Sequence, residues 1–456
     1  MNQRKENKMG TAPMLPLIIS MSLPSMFSML IQALYNVVDS IFVARYSMGA
    51  LSAVSLVYPV QMLMLAMAVG TGIGLNSLVS RRLGERRIDD ASSAATHGIL
   101  LALFGWVVLC GLALFFTKPF YRMFTDDASL FQMACDYSNI VVYASLGVFI
   151  HLVIEKTLQA TGNMITPMFL QLFGAVTNII LDPILIFGLF GFPELGVRGA
   201  AIASVIGQYV SMICAIIVVL RKKQIVHISF RGFRFRWRTV LDIYEVALPS
   251  IVMQSIASVL ITFLNKILIS FSDIAVSVLG VYYKLQSFVF MPVFGLTHGT
   301  MPIMGYSYGA RYRKRLMKAL KLSCIIAACI MLLGMLAFMI FPRELLAIFS
   351  DNGELIETGI PALRIISCCF VSAGVCIMLS TLFQAVGRGK YSLIVSLLRQ
   401  LVGILPIAYL LSRFGLIYFW WAFPIAEAMS LVVSIILALR LYRTDLRFLD
   451  ADAPCA

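Results

Sequence analysis

Apolar runs long enough to cross a lipid bilayer recur along the whole chain, and they constrain its fold more than any other feature. A transmembrane helix needs about 20 consecutive, mostly apolar residues. Only 13% of the 456 residues are charged, roughly half the share found in soluble domains. The sequence therefore predicts an all-α integral membrane protein with twelve transmembrane helices, near residues 13–44, 50–80, 93–117, 133–156, 163–190, 198–221, 240–270, 274–300, 318–341, 356–385, 390–413 and 417–440.

The basic residues are distributed unevenly between the two sides of these predicted spans. The two termini and the loops on their side carry 26 lysines and arginines, whereas the loops on the opposite side carry six. Because cytoplasmic loops are enriched in lysine and arginine, both termini are predicted to lie in the cytoplasm of a multi-pass plasma-membrane protein. The net charge of +14 is thus explained by topology, with the lipid bilayer as a partner and no nucleic acid expected.

No motif for an enzyme or a cofactor stands out. The nine cysteines lie mostly inside the predicted spans, without metal-ligand spacing or a disulfide framework. The stretch "GRGKYS" at 387–392 has Gln384 where a phosphate loop needs its first glycine and Tyr391 where it needs Ser or Thr. We therefore expect neither an enzyme nor a bound cofactor.

An internal repeat divides the chain into two similar halves. The tripeptide "LPS" at 23–25 recurs at 248–250, and further matches share the same offset of 225 residues. These matches pair Gly70, Gly74, Gly84 and Arg86 with Gly295, Gly299, Gly309 and Arg311, and Gln159, Ala160 and Gly162 with Gln384, Ala385 and Gly387. One shared offset in separate regions indicates a true repeat.

The repeat predicts the domain organisation. Each half holds six predicted spans, an even number, so both halves enter the membrane in the same orientation and are related by a pseudo-two-fold axis along the membrane normal. The predicted divisions are an N-terminal lobe at 1–221, a basic cytoplasmic linker at 222–239, and a C-terminal lobe with a cytoplasmic tail at 240–456.

Acidic residues inside the predicted spans are few, and two of them have polar neighbours at helical spacing. Asp39 in the first span shares a helix face with Gln32, Tyr35 and Asn36, and Asp182 in the fifth span shares one with Gln171 and Asn178. Polar faces in apolar helices turn towards each other or towards water. The two aspartates are therefore predicted to form one site, near which Pro183 frees a backbone carbonyl.

An ionisable group inside the membrane is a functional candidate. A desolvated carboxylate at this site can take up a proton from one side of the membrane, or Asp39, Asp182 and Asn178, with Asn36, can ligate Na⁺. Either cation competes with a cationic substrate, which is the requirement for antiport. The alternative is that each aspartate only joins helices, and this alternative is strong for Glu155, beside Lys156, and for Glu245, near the basic linker.

The second half lacks counterparts of these aspartates and offers adaptable apolar and aromatic side chains. Methionines adapt to variable ligands, and aromatic faces attract organic cations. The candidate substrate-binding residues are Tyr35, Gln32 and Gln171 in the first half and Met253, Gln254, Tyr282 and Met291 in the second. Any one of the second-half residues can equally be an ordinary packing residue.

Glu427 is an acid in the last span.

Several stretches together resemble one transporter family. "LYNVVDSIFVAR", "RRLGE", "LQATGNMITP" and "NIILDPILIFG" look like the multidrug and toxic compound extrusion (MATE) family, and most like its bacterial MepA-like group. The resemblance implies two six-helix lobes around a V-shaped cleft and export of cationic lipophilic compounds in exchange for H⁺ or Na⁺ by alternating access. It also implies a cation site at Asp39, Asn178 and Asp182, and a monomer is expected.

Two other functions stay open at this point. A lipid-linked oligosaccharide flippase would need a large basic cleft, and basic residues in the interior of the spans are few: Lys266, Lys284, Arg364 and Arg399. An intramembrane aspartyl enzyme could use Asp39 and Asp182 as a dyad, but no catalytic motif surrounds them and the duplicated lobes would have no role.

Overall fold

A computed structural model describes residues 7–221, 224–349 and 352–449, and most of these residues are helical with no strand among them. The predicted domain bounds at residues 1–6, 222–223 and 450–456 lie outside the described residues. The α-helices are α1 (Lys8–Thr11), α2 (Met14–Tyr46), α3 (Met48–Gly84), α4 (Ile88–Arg122), α5 (Ala128–Tyr143), α6 (Leu146–Ala160), α7 (Ile165–Phe187), α8 (Val197–Arg221), α9 (Trp237–Ile269), α10 (Asp273–Gly309), α11 (Arg313–Ile340), α12 (Pro342–Ala347), α13 (Gly353–Ser367), α14 (Phe370–Ala385), α15 (Gly389–Leu397), α16 (Leu405–Ser412), α17 (Leu416–Trp420) and α18 (Ala422–Thr444).

Three short segments have other helical geometries. They are 3₁₀ turns at Leu189–Gly191 and Leu446–Phe448 and a π-helical segment at Leu398–Ile404 between α15 and α16.

The predicted all-α membrane architecture is confirmed. Among the described residues, ten helices are long and apolar enough to cross a bilayer, and two bent pairs, α5 with α6 and α13 with α14, bring the number of spans to twelve when each pair is one span. The two pairs bend by 44° and 47°. They are the fourth span of each half, so the bends are themselves repeated.

The repeat also extends to the backbone. The helices α3 and α10 have 37 residues each, and each is capped at its start by a serine whose Oγ accepts the N–H three residues later. Arg86 and Arg311 both have a left-handed backbone, with φ of 62° and 60°, as do Gly162 and Gly387, with φ of 88° and 84°. A left-handed arginine is uncommon. Its recurrence at the offset of 225 indicates that each half repeats the same turn.

Packing divides the chain into two compact units, Phe27–Ile251 and Met1–Met26 with Val252–Ala456. The divisions fall inside α2 and α9, so the first part of α2 packs with the second half of the chain and the first part of α9 with the first half. The predicted domain bounds, which follow from the repeat alone, stay a prediction.

Repeated glycines explain these two helix crossings. A Cβ at Gly74 would lie 2.9 Å from the Ala247 Cβ on α9, and a Cβ at Gly299 would lie 2.8 Å from the Ser22 Cα on α2. Real Cβ contacts are never so short, so only glycine permits these helices to approach so closely. Ala247 is the repeat equivalent of Ser22, as Gly299 is of Gly74, so both units contain the same crossing.

The segment after α8 lies on the first turns of α4. The Arg236 N–H donates to His97 Nε2 over 2.8 Å, and the buried His97 imidazole lies against the Phe233 and Phe235 rings. The Ser229 N–H donates to Thr96 Oγ1, and the Arg236 guanidinium pairs with Asp90. Side chains of α4 and of the linker thus hold the described part of the linker against α4.

Candidate functional site

The two aspartates singled out in the sequence lie together in the unit Phe27–Ile251. Asp39 is on α2 and Asp182 on α7, and their carboxyl groups are within hydrogen-bonding reach of each other. Asp182 is fully buried. The Asn178 amide, one turn earlier on α7, donates to Asp182 Oδ1 and to Ser204 Oγ of α8, each over 3.2 Å.

The site has an excess of hydrogen-bond acceptors. Asp39 Oδ1, Asn178 Oδ1 and Asp182 Oδ2 are buried and have no hydrogen-bond donor among the described residues. Ionised carboxylates only accept hydrogen bonds, so two of them in contact repel unless a proton or another cation lies between them. Buried acceptors without donors are costly. The arrangement is therefore chemically suited to binding a proton or a small hard cation through oxygen ligands.

The other predicted first-half residues lie on α2 and α7, the two helices that carry this pair. The Gln171 amide on α7 donates to Gln32 Oε1 on α2 over 3.0 Å, so the two polar helix faces do turn towards each other. The Tyr35 hydroxyl is within hydrogen-bonding reach of Ser204 and close to both aspartates. Asn36 is exposed, and its side chain makes no hydrogen bond within the described part of the chain, so its role as a cation ligand stays a prediction.

Sequence reasoning missed two residues of this site, Ser204 and Tyr137. Ser204 lies on a buried small-residue face of α8 with Ala200, Gly207 and Ser211, and such a stripe signals close helix packing. A Cβ at Gly207 would lie 2.7 Å from the Gly174 carbonyl of α7. Tyr137 on α5 is buried near both aspartates, and its hydroxyl accepts a hydrogen bond from Gln61 Nε2. No local pattern in the sequence distinguishes Tyr137.

Glu155, by contrast, is buried with local partners. Its Oε1 pairs with Lys156 Nζ at 3.2 Å and accepts from Gln159 Nε2 at 2.8 Å, and its Oε2 lies 3.4 Å from His151 Nε2. Lys156 is 3% exposed, so the pair is enclosed by the protein. Glu245 is exposed near the start of α9.

The second-half candidates are dispersed along α9 and α10. Met253, Gln254 and Met291 are half-buried. Tyr282 is 1% exposed, and its ring lies against Tyr283 and, at 6.0 Å between centroids, Phe423 of α18. A role for these four residues in substrate binding stays a prediction.

Twelve spans in two repeats, with a pair of carboxyl groups inside one of them, are the architecture of a secondary membrane transporter. The MatE family model matches the chain twice, at residues 24–184 and 249–410, so each match falls in one repeat. The chain therefore belongs to the MATE family.

Relatives of known name agree with this assignment. The "FAD transporter" of Shewanella oneidensis is 25% identical over 401 residues, which cover 87% of this chain and 88% of the relative. The "Multidrug export protein MepA" of Staphylococcus saprophyticus is 24% identical over 418 residues, covering 91% of each chain.

Solved structures show the same fold. A multidrug resistance MATE family transporter of the MOP superfamily, in an outward-facing conformation, has a TM-score of 0.91 and 27% identity, covering 97% of this chain and 99% of its own. A MOP superfamily transporter from Pyrococcus furiosus gives the same values. The protein is thus a multi-span membrane transporter that handles small molecules, and not an enzyme.

Proposed function

We propose that this protein exports cationic lipophilic compounds in exchange for H⁺ or Na⁺, with Asp39 and Asp182 as the coupling-cation site. The observation that carries the proposal is the approach of two carboxyl groups, one buried and one half-buried, on different helices, with three buried acceptor atoms that have no donor among the described residues. The MATE relatives named as multidrug exporters support the substrate class. We further propose that the protein works as a monomer in the plasma membrane, with both termini in the cytoplasm.

The chemistry of the pair accounts for exchange. With both carboxylates ionised, the site carries two negative charges and attracts a cation. A proton joins the carboxyl groups by a hydrogen bond, or Na⁺ does so through oxygen ligands from Asp39, Asp182 and Asn178. Cation binding cancels charge that otherwise attracts a cationic substrate, so each ligand weakens the binding of the other. Reciprocal coupling of this kind links substrate release to cation uptake.

The test is efflux of a fluorescent organic cation from proteoliposomes under separately imposed H⁺ and Na⁺ gradients. Asp39→Asn and Asp182→Asn should each abolish gradient-driven efflux, because asparagine cannot bind and release a proton and carries no charge for Na⁺. The double variant should be no worse than either single one, since the two residues act as a unit. The gradient that drives wild-type efflux identifies the coupling ion.

The matched control is Glu245→Gln, which removes an exposed acid near the start of α9 and should leave efflux close to wild type. All variants are compared at equal amounts of reconstituted protein. Near-normal, gradient-dependent efflux by Asp39→Asn or by Asp182→Asn would exclude the role proposed for that residue.

A second candidate is export of a flavin dinucleotide, suggested by the name of the Shewanella relative. Vesicles loaded with FAD distinguish the two functions, because FAD release without release of the organic cation would favour the second. The flippase alternative has less support: of the four basic residues in the middle of the predicted spans, Lys266, Lys284 and Arg364 are exposed and Arg399 is partly buried.

A further inference from the structure

In the unit that contains the second half of the chain, the described residues include an ion pair between a half-buried arginine and a buried glutamate. Arg399, in the π-helical segment between α15 and α16, lies with its Nη1 3.6 Å from Glu427 Oε2 on α18. The Glu427 side chain is 7% exposed and that of Arg399 is 26% exposed. The Cys376 thiol on α14 lies within hydrogen-bonding reach of the Glu427 carboxylate. Neither Arg399 nor Glu427 has a counterpart in the first-half site.

The guanidinium points into the unit. Arg399 follows the buried Ser392, Val395 and Ser396 by seven, four and three residues, so it shares their helix face. Ile394 is exposed on another face of the same span. Arg399 also lies close to Tyr282 and Tyr283, which places the charge among side chains of α10 and α18.

The π-helical segment carries two polar side chains, those of Arg399 and Gln400. Pro406 has no N–H, so it cannot bond to the Val402 carbonyl, and its ring would clash with a regular helix. The wider turn at Leu398–Ile404 accommodates this defect. Gly403 permits close contact with α18, since a Cβ there would lie 2.8 Å from the Ala426 Cβ beside Glu427. Such π-helical turns often occur at functional sites.

The polar groups of Arg399, Glu427 and Gln400 have few hydrogen-bond partners among the described residues. A guanidinium has five N–H donors, yet within the described residues the only polar partner of Arg399 is Glu427, at a long distance. Glu427 Oε1 and Gln400 Oε1 are buried and accept no hydrogen bond from any described residue. A charge in the middle of a span that only held helices together would be expected to have its hydrogen bonds satisfied.

We propose that Arg399 is the anion-binding residue of a second subsite, which takes a carboxylate or phosphate group carried by an organic substrate. The planar guanidinium matches the two oxygens of such a group, and Glu427 holds the arginine in place when the subsite is free. The proposal rests on the function proposed above in one respect, that the protein carries organic substrates. It adds that zwitterionic and anionic compounds are among them.

The experiment compares two dyes that differ in one group. The probes are a rhodamine with a free benzoate and its methyl ester, bound to purified protein in nanodiscs and followed by fluorescence polarisation without any ion gradient. Arg399→Gln should weaken binding of the benzoate dye by about tenfold or more, as for the loss of a hydrogen bond between charged groups. Binding of the ester should stay unchanged.

Three further variants keep the result interpretable. Arg413→Gln, which removes an exposed arginine stacked on Tyr409 at the end of the same span, should bind both dyes as wild type. Arg399→Lys should retain part of the preference. Glu427→Gln should tighten the benzoate dye, because a competing anion is removed, so the proposal can be tested even where Arg399→Gln does not fold.

Equal weakening of both dyes in Arg399→Gln, or none in either, would overturn the proposal, and so would weaker benzoate binding in Glu427→Gln. Inorganic phosphate at constant ionic strength and nanodiscs with or without an anionic lipid separate the sources of the anion. Displacement of the benzoate dye by phosphate or by lipid, at concentrations equal to the dye, would assign the subsite to those anions instead. Asp39→Asn should retain the preference for the benzoate dye. The binding test of Arg399 therefore does not depend on whether Asp39 couples export to an ion gradient.

Discussion

Two kinds of buried acid occur in the unit Phe27–Ile251, and they differ in their partners. Glu155 is held by Lys156, Gln159 and His151. The pair of Asp39 and Asp182 has no cation beside it among the described residues, and the Asn178 amide is its one hydrogen-bond donor there. A carboxylate with permanent partners stabilises the fold, whereas carboxylates that lack a partner cation are available for a ligand. Residues of the same type thus have different roles because of what surrounds them.

This difference predicts unequal effects on stability. Lys156→Met should lower the free energy of unfolding by about 3 kcal/mol, because it leaves Glu155 buried without its main counter-charge. Asp182→Asn should leave stability close to wild type, since it removes a buried charge and its desolvation. Thermal unfolding of the purified protein in detergent, followed by a thiol-reactive dye, measures both. A Lys156→Met variant as stable as wild type would show that the ion pair does not contribute.

At the scale of helices, close crossings through glycine recur in the two units. Gly280 and Gly299 are on the same helix, α10, but a Cβ at Gly280 would meet no atom within 4 Å, whereas one at Gly299 would overlap Ser22. The two positions therefore separate the intrinsic effect of glycine on a helix from its effect on packing.

Alanine at these two glycines should change stability in opposite directions. Gly280→Ala should raise stability by roughly 0.5–1 kcal/mol, the usual gain within a helix. Gly299→Ala should lower it, because α2 must move away from α10. Melting temperatures of the two variants give the comparison, and a Gly299→Ala variant that melts higher than wild type would contradict the close crossing.

The linker provides a second test at this scale. His97→Leu keeps a side chain of similar size but removes the acceptor of the Arg236 N–H, so residues 224–236 should be cleaved faster by trypsin under native conditions. His227→Leu is the control, because the backbone N–H of His227, and not its exposed side chain, bonds to Ser92. Equal cleavage of His97→Leu and wild type would show that the imidazole does not fasten the linker.

For the whole molecule, orientation in the membrane follows from the uneven distribution of lysine and arginine. In a variant without its native cysteines, Glu85→Cys and Phe230→Cys should react with an impermeant thiol reagent only from the cytoplasmic side. Asn352→Cys should react only from outside. Labelling of position 352 from the cytoplasm would contradict the twelve-span topology with both termini inside.

The sequence by itself determined the membrane class, the number of spans and the repeat. Apolar length and the offset of 225 residues are local or periodic properties, and a bilayer leaves the backbone few alternatives to a helix. The spacing of polar residues also indicated which faces of α2 and α7 would meet, and the hydrogen bond between Gln32 and Gln171 confirms that contact.

Only the tertiary structure decided which polar residues join the site and which do not. Ser204 and Tyr137 come from two other helices, α8 and α5, and Arg399 meets Glu427 through a π-helical turn that periodicity does not reveal. The sequence also did not reveal that the first part of α2 packs with the second half of the chain and the first part of α9 with the first half. The physical reason is that these contacts depend on how closely helices approach and cross, which is set by packing against partners far along the chain.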